Sequence, residues 1–151
     1  MRILAAALLL LVACKSFKPA PEEAPETICV PANAGKTVTV AGFLGLPYVT
    51  FGCEERCDLY IASVEGETSR TFGRFATGFK PNQVRAIRQK GDLLGSGARL
   101  VRPDQVVLRP DTGKETLGIG DPVRITGVLE TSDASGSPVC YVNVTRAEAI
   151  P

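Results

Sequence analysis

The chain has 151 residues, 44% of them hydrophobic and 22% charged, with a formal net charge of +1, enough for one domain with a real core. Histidine is absent, which removes the commonest general acid–base group near neutral pH and the commonest metal ligand, so Ser-His-Asp, Cys-His and His-zinc chemistry are excluded within this chain. Fifteen glycines and eleven prolines favour short strands and turns over long helices, and with no run of 18 apolar residues no transmembrane helix is expected.

The chain opens with one positive charge at Arg2, a ten-residue apolar run from Ile3 to Val12, small Ala13 and then Cys14. That order is the order of a secretory signal. The run is too short to span a bilayer and has no polar face that would suit a core helix. Leu11-Val12-Ala13-Cys14 closely resembles the lipobox of bacterial lipoproteins. The resemblance implies that Cys14 Sγ takes a diacylglyceryl group and that residues 1–13 are cleaved away as a signal peptide. Cys14 then becomes the mature N-terminus, with its amine open to acylation. Several acyl chains hold a protein to a membrane far better than one, at about 0.8 kcal/mol per buried CH₂. Lys15, where an aspartate would favour inner-membrane retention in enterobacteria, points to the outer membrane with the domain in the periplasm. Loss of Arg2 leaves sixteen basic and sixteen acidic residues.

Residues 14–27 form the lipidated N-terminus and a tether. The stretch KSFKPAPEEAPET carries three prolines and five charges and buries too little apolar surface to fold. Held extended, it would lift the domain roughly 40 Å from the membrane. It contains no P-x-x-P motif that would suit it to partner docking. Residues 28–151 are read as a single β-barrel domain.

Strand signals then follow in order. Thr37-Val38-Thr39-Val40 alternates with Val38 and Val40 on one face, and Leu59 to Val64 is a second candidate. Glu65-Gly66-Glu67 reads as a turn, and Thr71 to Phe79 as a third strand in which Phe72, Phe75 and Phe79 want burial. Asn82 to Lys90 is expected as a short helix and Arg99 to Arg109 as an extra hairpin turned at Arg102-Pro103-Asp104. Val123-Arg124-Ile125-Thr126 and Cys140 to Thr145 alternate again, joined through the loop from Ser132 to Pro138.

Gly35 to Leu44 and Gly120 to Leu129 share one pattern, G-x-x-V-x-[V/I]-x-G-[F/V]-L. A glycine inside a strand marks a bulge or a sharp bend, so the two copies suggest equivalent, strongly bent strands that pair. Three strands, a long connection and a final hairpin is the order of an OB-fold. GKTVTVAGFL and GDPVRITGVLE…VCYVNVTRAE also resemble the first strand and final hairpin of OB-like domains in small bacterial periplasmic proteins. The expected fold is all-β, a small OB-like five-stranded barrel with an irregular insertion between strands 3 and 4.

With Cys14 acylated, Cys29, Cys53, Cys57 and Cys140 remain, an even number that reads as two disulfides in an exported domain. The preferred pairing is Cys53–Cys57 with Cys29–Cys140. The OB layout supports a rival in which Cys140 meets Cys53 or Cys57. Cys53-Glu54-Glu55-Arg56-Cys57 is also the only candidate for thiol–disulfide chemistry, although its two carboxylates would raise a thiol pKa. A four-cysteine zinc site lacks the usual two closely spaced pairs.

From Arg70 to Arg109 nine basic residues (Arg70, Arg74, Lys80, Arg85, Arg88, Lys90, Arg99, Arg102 and Arg109) face only Asp92 and Asp104, a balance of +7. Solvated strand faces explain such a run. The functional alternative is a basic surface for an anionic envelope component or an acidic envelope protein. Nucleic acid is not expected in that compartment, and no cofactor is indicated. The reading is a lipid-anchored, non-catalytic envelope module facing the periplasm. The alternative is a periplasmic thiol–disulfide protein using Cys53 and Cys57.

Overall fold

The computed structural model describes residues 22–47, 53, 55–86, 101–112, 115–133 and 136–151. In chain order the elements are β1 (Glu22–Glu23), α1 (Pro25–Ile28), β2 (Thr37–Gly45), β3 (Arg56–Ala62), β4 (Thr71–Thr77), β5 (Gln83–Ala86), β6 (Val106–Arg109), β7 (Pro122–Ser132) and β8 (Val139–Ala149).

Five strands close a barrel. β2 runs antiparallel to β3 and to β7, β3 antiparallel to β4, β4 parallel to β8, and β8 antiparallel to β7. This circuit is the OB order, and the insertion between barrel strands 3 and 4 supplies β5 and β6, which extend the sheet from β4. Period-2 alternation fills the interior. Val40, Leu59, Ile61, Phe75, Val123, Ile125, Leu129 and Val142 have essentially no exposed surface, and Phe75 is the largest of them.

The two similar segments are neighbours. Val40 pairs with Ile125, its own counterpart in the other copy, so the copies run antiparallel about a local two-fold axis. Their mid-strand glycines sit where backbone passes close by. A Cβ on Gly42 would lie 2.6 Å from the Ala62 carbonyl oxygen, and one on Gly127 would lie 2.0 Å from that of Asn143. Gly127 also sits at the register shift between β7 and β8.

Four expectations need correction. The described fold already includes Glu22–Glu23, inside the expected tether, because β2 meets β3 only from Phe43 onward. The open side of β2 at Thr39–Val40 takes Glu22–Glu23 as a parallel partner, and unpaired strand edges favour such cover. Ile28 and Pro25, three residues apart on one face of α1, are both buried, and the buried Thr71 hydroxyl donates to the Pro25 carbonyl at 2.6 Å. Gln83–Ala86 is a strand rather than part of a helix; Val84 faces the core beside Leu108. Pro103–Gln105 is a 3-10 turn leading into β6, whose partner is β5 rather than the residues before the turn. β4 ends at Thr77, leaving Phe79 65% exposed. Residues 87–100 lie outside the described residues. The closed five-stranded barrel, its buried core and both cysteine pairs lie within residues 22–151.

Candidate functional site

On the outer face of the barrel the register brings three rings together. Tyr60 on β3 opposes Phe72 on β4, and Phe72 opposes Tyr141 on β8. Neighbouring strands lie roughly 4.8 Å apart, so rings at directly opposed positions come into contact: Phe72 and Tyr141 are stacked, with 24° between their planes, and Tyr60 is tilted 41° to Phe72. Their centroids are 4.8 Å (Tyr60–Phe72) and 5.3 Å (Phe72–Tyr141) apart. Arg74, two residues beyond Phe72, lays its guanidinium over Tyr141 at 4.2 Å from the centroid. Asp58 fixes it with two hydrogen bonds, from Nε at 3.0 Å and Nη2 at 3.3 Å, and Glu130 accepts from Nη1 at 3.2 Å. The hydrogen bond to Asp58 raises the Arg74 pKa, against the opposing pull of partial burial. The result is an ordered stack: Arg74, Tyr141, Phe72, Tyr60.

The stack is closed by Arg74 at one end and open at the other. The β2 residue opposite Tyr60 is Gly45, which has no side chain to cover the ring. Beyond it lies a cleft of about 320 Å³ whose lining includes the apolar side chains of Leu46, Ile119 and Pro103. Glu65, Glu67 and Thr68 also line it, and no lysine or arginine is among the described lining residues. The walls are tied together. Gly120 N–H donates to the Leu44 carbonyl at 2.8 Å and Leu44 N–H to that of Asp121 at 3.0 Å. The turn between Glu65 and Glu67 is sharp because Gly66 takes φ 78°, a region that glycine enters freely.

A second cleft of about 520 Å³ shares Glu67 and Thr68 with the first and is otherwise lined by Pro25, Cys29 and Pro138 together with Glu26, Ser63, Ser69 and Arg70. The Ser63 hydroxyl donates to the Glu26 carboxylate, which holds that carboxyl below its ordinary pKa. It presents no aromatic face.

The basic run of the sequence divides among several places. Arg70 lines the second cleft, Arg74 is neutralised within the stack, and Arg102 pairs with Asp104 at 3.4 Å on the surface. Lys80, Arg85 and Arg109 gather around Phe79 at the β5–β6 insertion. Cys14, Arg88, Lys90 and Arg99 lie outside the described residues. The Cys29 and Cys140 sulfurs are 2.07 Å apart and those of Cys53 and Cys57 are 2.11 Å apart, both at disulfide distance, which matches the preferred pairing rather than the rival.

No family model matches the chain, and no curated protein matches it. The cleft residues were beyond sequence reasoning. Strand alternation does send Tyr60 outward, opposite to Leu59 and Ile61, but the vacancy at Gly45 depends on cross-strand register, which no local pattern encodes.

Proposed function

We propose that the chain is a lipid-anchored, non-catalytic binding module of the bacterial envelope, with its barrel facing the periplasm at the outer membrane. The cleft beside Tyr60 holds a neutral or amine-bearing sugar ring of a glycan. The observation that carries this reading is the open end of the stack. Three rings and a guanidinium are already in register, and the next place in the series is a cleft lined by Leu46, Ile119 and Pro103 and by Glu65 and Glu67.

The chemistry of the lining selects the ligand. The outer face of strands 2 and 3 and the adjoining loops of OB barrels bind oligonucleotides and oligosaccharides. A phosphodiester chain would bring negative charge beside Glu65 and Glu67, with no cation among the described lining residues to offset it. A sugar ring instead lays its C–H face on Tyr60 and offers hydroxyl or ammonium donors to the carboxylates. The anchor reading rests on the Arg2–Cys14 signal. The structural reading of the cysteines rests on burial: Cys53 and Cys57 are 7% and 1% exposed, which keeps both sulfurs from an incoming thiol.

Isothermal titration of residues 22–151 with a β-1,4-linked N-acetylglucosamine disaccharide, and with its de-acetylated amine form, tests the cleft. Binding is expected to weaken about tenfold in Tyr60→Ala, the scale of a lost ring contact. Unchanged affinity in that variant, or a preference for oligothymidylate, would overturn the reading. For the anchor, Cys14→Ser is expected to abolish metabolic lipid labelling in cells and to leave the precursor uncleaved; labelling that persists would refute it.

A further inference from the structure

We propose that the turn after β4 is a second binding site, a rigid wedge that seats Phe79 in a phosphate-bearing lipid surface. Phe79 is 65% exposed, the most exposed of the large hydrophobic side chains among the described residues. A ring left in water by accident would sit on a loosely held loop. This one sits on a turn secured from several directions. Gly78 N–H donates to the Val84 carbonyl at 3.0 Å, Lys80 N–H to Gln83 Oε1 at 3.0 Å and Gln83 N–H to the Lys80 carbonyl at 3.2 Å. Asn82 is the keystone. Its φ of 65° lies in the left-handed region, which asparagine tolerates better than most residues. Its N–H donates to the Arg109 carbonyl, its Nδ2 to Asp111 and its Oδ1 accepts from Ala147 N–H, at 2.8, 3.0 and 2.8 Å. Polar bonds on every side therefore fix an apolar ring outward.

Cationic residues lie on and beside the turn. The Arg85 guanidinium lies 4.2 Å from its centroid, Arg109 Nη1 donates to the Phe79 carbonyl at 2.9 Å, and Lys80 follows directly and is exposed. No acidic residue occurs between Arg70 and Gly91. An apolar ring beside cationic donors complements a bilayer interface, where the ring enters the acyl boundary and the cations meet phosphates. A protein partner fits less well. A single convex ring is far below the roughly 800 Å² per side of a standard protein interface. The proposed anchor adds to this: the eight residues 14–21 before β1 reach at most about 29 Å, which keeps the barrel beside the membrane. That last point rests on the anchor reading; the wedge itself does not.

The test uses residues 22–151, which lack Cys14 and the apolar leader, in co-sedimentation with phosphatidylcholine vesicles containing or lacking phosphatidylglycerol. This piece keeps all sixteen acidic residues and loses Arg2, Lys15 and Lys18, for a formal net charge of −2, so bulk charge opposes binding. The expected result is binding to the anionic vesicles alone, weakened about tenfold by Phe79→Ala, on the scale of one apolar side chain leaving a buried setting. Arg85→Gln with Arg109→Gln should weaken it at least severalfold, with unchanged melting temperature in all variants. No binding to anionic vesicles, equal binding to both kinds, or full binding by Phe79→Ala would overturn the proposal. So would capture by an acidic polypeptide such as polyglutamate in place of vesicles. A sugar titration that fails while vesicle binding holds would separate this site from the cleft.

Discussion

Phe75 and Phe79 stand four residues apart, one in the barrel wall and one on the β5–β6 insertion. Phe75 lies on a strand paired on both sides, and the barrel interior is its only apolar exit; it is fully buried. Phe79 comes after the strand has ended, on a turn held by hydrogen bonds, and is exposed. Their arginine neighbours differ in the same way. Arg74 is closed in by Asp58, Glu130 and Tyr141, whereas Arg85 meets the ring of Phe79 and is exposed. The wall turns side chains into packing; the insertion displays them. A run of basic and aromatic residues that looks uniform in the chain thus yields two settings of different chemistry, an arginine neutralised among rings on the wall and an arginine exposed beside a ring on the turn.

Stability separates the two regions most sharply. Phe75→Ala should cost about 3–5 kcal/mol, as expected for a large core side chain. Phe79→Ala should stay within about 0.5 kcal/mol, as surface changes usually do. Urea unfolding of residues 22–151 measures both, and comparable losses would erase the distinction. Next in size are the cysteine pairs. Cys29 and Cys140 are 111 residues apart in sequence, Cys53 and Cys57 four. If loop closure dominates, replacing the first pair by serines costs about 4–5 kcal/mol and the second about 2 kcal/mol. The reverse ranking would show that the short loop holds the β3 wall more firmly than chain entropy implies. The smallest effect is at Glu26. Its folded pKa is depressed by the Ser63 hydroxyl, so its contribution is present above the unfolded value near 4.5 and is lost as pH falls through the folded value. Because the pair is exposed to solvent, Ser63→Ala should flatten the acid limb of the stability curve only slightly; a large change there would mean that α1 depends on this contact more than on Ile28.

The barrel was legible in the chain because its strands carry the alternation of a one-sided core and its paired glycines repeat at matching positions. The strands of the insertion were not. Gln83-Val84-Arg85-Ala86 is too short for its period to declare itself, and its order comes from Leu108 and Val106 across the sheet. The same is true of Glu22–Thr27, which reads as polar tether until the open side of β2 and the buried place of Pro25 are known. The cleft was hidden for the same reason: Gly45 is unremarkable alone and decisive only opposite Tyr60.

The bare face of Tyr60 is best tested by nuclear Overhauser effects between the sugar ring protons of the bound disaccharide and the Tyr60 aromatic protons. Contacts to Tyr60, with amide shifts at Gly45 and Ile119, are the expected result. Saturating disaccharide with no contact to Tyr60, or with shifts confined to residues 79–85, would contradict the assignment of the cleft as the binding site.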